Sequence, residues 1–587
     1  MAREVAIGVQ SFAKIIENHN FYVDKTEFIK EWWNGQDDVT LITRPRRFGK
    51  TLNMSMLECF FSNKYAGRGD LFEGLDIWKD EKFRALQGTY PVIFLSFAGV
   101  KGENYQDTVK GIKKQIVKVF SEFPEILANE SFDRNEMAAL EKISEAMDDV
   151  DAQYALNLLT TLLEKYYHHK VLIFMDEYDT PLQEAYVHGY WDKLVAFTRT
   201  MFNNTFKTNP YLERAIMTGI IVAPSPLGSK IPRQVDEVGF PARLERTSSS
   251  SQCQSIFTGL NHLAINSVRD GSFSEGFGFT EDETAQMLID YGIEDRIPEV
   301  REWYDGYLFG ETEIYNPWSV IKYVDSIVNN GRKFPEPYWA NTSSNQIIKD
   351  MVWQADEDMR EELDLLIQGG TIEKQIHEDI TYDDIHESED NLWNFLFFTG
   401  YMKKVSERRD NQNEEIIYLT MKIPNIEIRS IYANQIRSWF DKQVKSEDRS
   451  VLHKAVLDGD TGAVAGYITK LLKKSISVFD NDESFYHGFF LSLLYGTPDY
   501  QPRSNREEGD GRPDIVLYPE NPTDPAIIFE IKVRKKFNEM EAGLQEAYSQ
   551  IRTKNYEEGV LEDGYMGVKS YGICFCRKSC IVGKYKE

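Results

Sequence analysis

The segment Arg44-Pro45-Arg46-Arg47-Phe48-Gly49-Lys50-Thr51 sets a glycine, an ammonium and a hydroxyl in consecutive positions. That set lets backbone amides close around a phosphate, neutralises its charge and holds a magnesium ion. Far downstream, Pro513-Asp514 and Glu530-Ile531-Lys532 put two carboxylates 530 − 514 = 16 positions apart, with a lysine beside the second. Two carboxylates can hold a divalent cation, and a lysine next to them can help generate hydroxide. The first chemistry turns over a nucleotide and the second cuts a phosphodiester. Each motif narrows the reading of the other.

The elements around the first motif suit it. Val39-Thr40-Leu41-Ile42-Thr43 is a short β-like run, and the chain from Leu52 is helix-permissive. A phosphate-binding loop needs this strand–loop–helix context. Gly49 frees the loop backbone, Lys50 faces the β- and γ-phosphates, and the Thr51 hydroxyl reaches magnesium. The motif departs from G-x-x-x-x-G-K-[ST], because Arg44 stands where the first glycine belongs. Val171-Leu172-Ile173-Phe174-Met175 then runs into Asp176-Glu177, as a buried parallel strand whose carboxyl end meets a ligand. There Asp176 suits the magnesium shell and Glu177 the polarisation of water, unless the acids merely start a loop. Tyr90–Phe97 and Arg214–Ile220 are two more strand-like runs, and helix-like stretches separate all four. This predicts an α/β P-loop NTPase with a doubly wound parallel sheet. Thr218, at a strand end, is either a γ-phosphate sensor or a plain β-former.

At the other end, Asp514 opens the strand-like Ile515-Val516-Leu517-Tyr518, and Pro525-Ala526-Ile527-Ile528-Phe529 leads into Glu530. Alternation puts Glu530 and Lys532 on one face, and the spacing suits a hairpin turning between Pro519 and Pro525. Lys532, Arg534, Lys535 and Lys536 form a basic cluster, read as a solvated face or as a DNA contact.

The sequence resembles the AAA-ATPase-like proteins that carry a C-terminal PD-(D/E)XK nuclease domain. The resemblance runs through Tyr22-Val23-Asp24-Lys25-Thr26, the Arg44–Thr51 segment, Met175-Asp176-Glu177-Tyr178-Asp179 and Ser255-Ile256-Phe257-Thr258-Gly259-Leu260-Asn261. It continues through Trp303-Tyr304-Asp305-Gly306-Tyr307 and Tyr315-Asn316-Pro317-Trp318-Ser319. In that family Arg-Pro-Arg-Arg precedes Phe-Gly-Lys, so the resemblance implies an intact phosphate loop despite Arg44. It leaves Arg46 and Arg47 open, as phosphate contacts or as partners of structural acids. Near the C-terminus, Tyr486-His487-Gly488-Phe489, Ser504-Asn505-Arg506-Glu507, Gly511-Arg512-Pro513-Asp514 and Gln550-Ile551 ahead of Tyr556 match the nuclease domain. The resemblance implies that Asp514 and Glu530 are metal ligands and that Lys532 is the activating base or a phosphate contact. Glu483 and Gln550 are either additional site residues or surface helix residues.

Between these ends the chain is less explicit. Residues 222–254 hold Pro224, Pro226, Pro232, Pro241 and Ser248-Ser249-Ser250-Ser251 without sustained periodicity. They read as an insertion, either a loop or translated non-coding sequence. The aromatic turns around Trp303–Tyr307 and Tyr315–Trp318, and Tyr338-Trp339-Ala340-Asn341, suit core packing in a helical lid, with stacking on a base as the alternative. Asn391–Tyr401, the charged turn 407–415 and Leu419–Asn425 suggest helices followed by a hairpin, as in a winged helix. The expected domains are a P-loop domain over 1–270, a helical lid over 271–345, a winged-helix linker over 346–440 and a restriction-endonuclease-like α/β domain over 441–587.

Bulk properties narrow the setting. The chain has 587 residues, an apolar fraction of 42% and a net charge of −27, which argues against a surface-wide nucleic-acid glove. Cys59, Cys253, Cys574, Cys576 and Cys580 are an odd set, so no disulfide framework is expected. The last three are close enough for a metal but lack an evident fourth ligand, and buried thiols are the plainer reading. No apolar run approaches a membrane span, and the first residues lack a signal-peptide pattern. The expectation is a cytoplasmic protein that uses ATP and Mg²⁺, acts on nucleic acid (DNA), and has no membrane partner; self-association is left open. The alternative is an ATP-dependent interaction switch with a non-cleaving nuclease-like domain.

Overall fold

A computed structural model of the chain describes residues 3–220, 263–341, 357–376, 388–435, 448–473, 483–504 and 513–586, with Phe257 and Leu260; within these ranges positions 130, 208, 333, 412, 414 and 415 are excepted. The expected insertion at 222–254, and most of the Ser255–Asn261, Ser504–Glu507 and Gly511–Asp514 matches, lie outside the described residues. The chain divides into two compact units, Met1–Ala340 with Thr371–Ile428, and Asn341–Gly370 with Arg429–Glu587.

The first unit is built on five parallel strands: β1 (Val39–Thr43), β2 (Val92–Ser96), β3 (Val171–Asp176), β4 (Leu212–Gly219) and β5 (Leu263–Asn266), in the order β2-β3-β4-β1-β5. Every residue of β1 and β3 is buried. Parallel strands covered on both faces read as continuous apolar runs, which is why Val171–Met175 was recognisable. Crossover helices join the strands, among them Lys50–Phe61 after β1, Tyr105–Ser121 after β2 and Trp191–Phe206 before β4. Because all strands point the same way, Thr43, Asp176 and Thr218 end at one edge of the sheet; Ile42 pairs with Thr218 and Ser96 with Asp176. The sheet thereby gathers residues far apart in sequence at its carboxyl edge.

The helices Glu281–Asp290, Ile297–Tyr304 and Pro317–Val328 pack around a cluster that includes Met287, Leu288, Val300, Tyr304, Tyr315 and Val324. Tyr304, Tyr307, Tyr315 and Trp339 are all buried, so these four rings belong to the core, whereas Trp303 and Trp318 are partly exposed. A two-stranded hairpin, β6 (Tyr307–Phe309) with β7 (Thr312–Ile314), lies in this region. A three-stranded antiparallel sheet of β8 (Ile372–Gln375), β9 (Lys403–Arg409) and β10 (Ile417–Lys422) follows, in the order β8-β10-β9, with the helix Glu389–Phe398 between β8 and β9. Glu407 to Arg409 belong to β9, so the turn is shorter than 407–415. Their charges suit an exposed edge strand, where they discourage pairing with another chain.

Glu427 anchors this part of the unit. Its carboxylate is fully buried and accepts hydrogen bonds from Ser319 Oγ at 2.8 and 2.9 Å and from the Trp339 amide at 2.9 Å. Burial pushes its pKa up to about 7, against the pull of those donors. A raised folded-state pKa means that the folded form binds the proton more tightly than the unfolded form does. The resulting stabilisation is complete below the ordinary carboxylate range and is lost as pH rises towards 7. It amounts to about 3 kcal/mol. Urea unfolding from pH 4 to 8 is expected to show this loss in the wild type and not in Glu427→Gln; parallel pH profiles for the two proteins would reject it.

The second unit holds a mixed sheet of β11 (Tyr500–Ser504), β12 (Ile515–Pro519), β13 (Ala526–Val533), β14 (Val568–Cys576) and β15 (Ser579–Tyr585), in chain order. Only the β13–β14 pair is parallel, joined through the helices Met540–Thr553 and Tyr556–Glu562. β12 and β13 form the antiparallel hairpin expected from the proline-rich turn, with Ile515 opposite Phe529. Cys574, Cys576 and Cys580 are buried free thiols on β14 and β15, and Cys580 Sγ contacts the Ala465 carbonyl at 3.7 Å. No described helix is long and apolar enough to cross a membrane.

Candidate functional site

The first site forms where β1 gives way to the helix Lys50–Phe61. Gly49 precedes that helix at φ 84° and Arg47 stands at φ 71°, and left-handed residues of this kind are what let a loop wind tightly around an anion. Lys50 is buried, and its ammonium donates to the Arg44 and Pro45 carbonyls at 2.8 Å each. Burial lowers its pKa to about 8, although Glu177, Asp179 and Asp176 pull the other way. Thr51 Oγ1 donates to one oxygen of Asp176 at 2.8 Å, and Thr218 Oγ1 donates to the other at 2.6 Å. The Asp176 carboxylate thus ties three segments of the sheet edge together, and its burial raises its pKa. Glu177 is itself left-handed at φ 51° and accepts from Thr180 Oγ1 at 3.2 Å. A hydroxyl and a carboxylate already within hydrogen-bond distance form a donor set that fits a magnesium ion.

The two arginines take different partners. Arg46 donates to Gln183 Oε1 at 2.6 Å, and the Arg47 guanidinium lies 4.0 Å over the ring of Trp318. Burial and the neighbouring Arg46 lower the Arg47 pKa, with Glu177 opposing. Trp318 is positioned by Asn316, whose side chain caps the helix Pro317–Val328 by accepting from the Trp318 and Ser319 amides. One further contact holds the loop from outside. Gly400, at φ 90°, approaches so closely that a Cβ there would lie 2.9 Å from the Pro45 ring.

The second site lies where the β12–β13 hairpin meets its neighbours. Glu530 is fully buried, and its Oε1 accepts from Lys532 Nζ at 2.9 Å. Its Oε2 is buried and has no hydrogen-bond partner among the described residues. Burial, and then the charge of Asp514, push the Glu530 pKa up to about 7, with Lys532 pulling it down. Asp514 Oδ2 accepts from the Ile531 amide at 2.7 Å, which fixes the first carboxylate against the strand carrying the second. His487 Nε2 lies 2.9 Å from the Asp514 carbonyl and 3.2 Å from Ser504 Oγ, bracing the start of β12. Gln550 Nε2 donates to Tyr556 Oη at 3.2 Å, and Tyr556 is near enough to Glu530 and Asp514 for their charges to help raise its pKa after burial. Glu483 is exposed at the start of its helix, and among the described residues no contact places it at the carboxylate pair. No group of three or more His, Cys, Asp or Glu side chains among the described residues could enclose a metal. Two carboxylates with one orphaned oxygen fit a hard cation that keeps the rest of its shell for phosphate oxygens and water.

Residues 6–224 match the family described as a predicted AAA-ATPase, and residues 481–585 match the PD-(D/E)XK nuclease superfamily. The chain carries both domains. It is also 28% identical over 355 residues to an uncharacterized protein in the vnfD 5′ region of Azotobacter chroococcum mcd 1. That alignment takes in 60% of this chain, which spans 56% of the relative's length.

In the AAA-ATPase-like domain, Arg44 replaces the loop glycine with a different solution. Its side chain is fully buried and donates to the carbonyls of Thr43, Asn266, Ser267 and Ser272 at 3.0, 3.0, 2.6 and 3.1 Å. It also lies 4.9 Å over the Phe309 ring. Burial lowers its pKa to about 10, with Asp270 and Glu31 opposing. The guanidinium bolts the loop to the chain after β5, which a glycine could not do. Arg44→Ala strands these carbonyls and is expected to cost about 3–5 kcal/mol. Thermal unfolding with the midpoint unchanged would reject this assignment. The sequence signalled Arg44 only as a misfit. Trp318 was visible within a matched motif, but its contact with Arg47 was not; Glu427 gave no signal, because its partners are remote in the chain. In the nuclease-superfamily domain, His487 was visible inside a matched motif, but its contact with Asp514 was not.

Proposed function

We propose that the AAA-ATPase-like domain binds and hydrolyses ATP, and that its cycle gates or positions a magnesium-dependent nuclease acting on DNA. The observation that carries the nuclease reading is the buried, unpartnered Glu530 Oε2, on a carboxylate whose other oxygen accepts from Lys532. An orphaned carboxylate oxygen costs stability, and a bound cation relieves that cost.

In the nucleotide site, Gly49 opens the loop to phosphate and Lys50 leaves its carbonyls for the β- and γ-phosphates. Arg46 and Arg47 add phosphate contacts. Thr51 and Asp176 hold magnesium, and Glu177 takes the proton of the attacking water. In the nuclease site, Asp514 and Glu530 hold the metal, and Lys532 orients the attacking water or contacts the phosphate. Magnesium supplies charge stabilisation at the phosphoryl oxygens in both places when bound. We place this activity in the cytoplasm, without a membrane partner.

The test is cleavage of plasmid and single-stranded DNA with Mg²⁺ or Mn²⁺, with and without ATP, for wild type, Asp514→Asn and Lys50→Ala. Cutting lost in the first variant and altered in the second supports the coupled enzyme. ATP hydrolysis without cutting under any condition supports an ATP-dependent interaction switch, the reading that the net charge of −27 favours.

A further inference from the structure

β13 ends at Val533, and the next residues leave the sheet in a defined way. The Arg534 amide donates to the Phe575 carbonyl at 2.9 Å, and its guanidinium pairs with Glu546 on the helix Met540–Thr553. Met540 is buried at the start of that helix. Between these anchors Lys535, Lys536 and Phe537 all face solvent, and Phe537 is 58% exposed. The segment is fixed at both ends, so the exposure is part of a held conformation. The Arg534 charge is spent on Glu546, while Lys535 and Lys536 have no ion pair among the described residues. A phenyl ring this exposed gives up burial worth more than a kcal/mol, as a rough guide, and a neighbouring pair of unspent lysines gives it a partner chemistry.

We infer that Lys535, Lys536 and Phe537 form a platform for an unpaired DNA strand beside the cleavage site. This rests on the nuclease reading of Asp514, Glu530 and Lys532. The lysines hold the sugar-phosphate backbone and Phe537 stacks on a base. Stacking selects an unpaired strand, because bases within a duplex already cover each other's faces. Proximity selects the same site: Phe537 is five positions along the chain from Lys532, a reach of at most about 18 Å. Two positive charges in a chain of net charge −27 make this a local landing point rather than a general affinity for polyanions.

The experiment is fluorescence anisotropy of a labelled single-stranded DNA oligonucleotide and its blunt duplex, with the full chain and Ca²⁺ replacing Mg²⁺. Phe537→Ala is expected to weaken single-strand binding about tenfold and to spare the duplex. Phe537→Trp is expected to restore it. Lys535→Ala with Lys536→Ala is expected to weaken binding and flatten its salt dependence. Wild-type affinity in Phe537→Ala, an equal loss on the duplex, or tighter binding of the same sequence as RNA overturns the inference. If Phe537→Ala binds normally while Asp514→Asn abolishes cutting, only the platform falls. If wild type neither binds nor cuts either DNA, the nuclease reading falls with it. Phe537 is exposed, so an unchanged unfolding midpoint confirms that the variant is folded.

Discussion

Asp514→Asn is expected to lower metal-dependent strand cleavage by roughly 10³-fold while leaving the fold intact. The amide is nearly isosteric, and its carbonyl oxygen can still accept from the Ile531 amide that holds Asp514 at 2.7 Å. What disappears is one of two negative charges. A cation between two carboxylates gains several kcal/mol of transition-state stabilisation, and each 1.4 kcal/mol is tenfold in rate. Glu530→Gln makes a useful comparison, since it also strips the buried Lys532 of its ionic partner. It is expected to combine the catalytic loss with lower stability, whereas Asp514→Asn shows the first alone. Cutting at the wild-type rate in Asp514→Asn, measured at saturating Mg²⁺, would remove this residue from the catalytic site.

Lys50→Ala is expected to reduce ATP hydrolysis by about 10²–10³-fold, the range typical for loss of one preorganised charge at a transferring phosphoryl group. Two effects add. The variant lacks the cation that meets the β- and γ-phosphates, and it strands the Arg44 and Pro45 carbonyls that the ammonium now satisfies. The second effect makes the loop itself less ordered, so nucleotide affinity should fall together with turnover. Steady-state phosphate release and equilibrium nucleotide binding separate the two. Unimpaired hydrolysis would move the nucleotide chemistry away from this loop.

The sequence was most legible where chemistry and local geometry coincide. Val171–Met175 read as a buried parallel strand because five consecutive apolar residues suit a strand covered on both faces, and Asp176 does meet Thr51 at the sheet edge. The spacing of Asp514 and Glu530 around a proline-rich turn likewise implied their hairpin, and the Ile531 amide closes it. Arg44 was legible as an irregularity but not as a bracket, since its acceptors at Asn266, Ser267 and Ser272 lie at least 222 positions further along the chain, beyond β2, β3 and β4. Glu427 was invisible for a related reason. Nothing in a short window distinguishes an acid buried against Ser319 and Trp339 from one in water. The aromatic turns divided: most are core, while Trp318 is the ring that meets Arg47. Spacing alone gave no means of choosing that one.

Gly400 carries a consequence for inheritance of the trait rather than for its chemistry. Its backbone rests against Pro45 with no room for a methyl group, in a conformation that other residues rarely adopt. Any missense change at that codon must push on the Arg44–Thr51 loop from outside. In a screen for alleles that lose ATP turnover, Gly400 would therefore score beside Lys50, although it maps to a distant stretch of the gene. Two such alleles would lie far apart along the sequence and would share one phenotype.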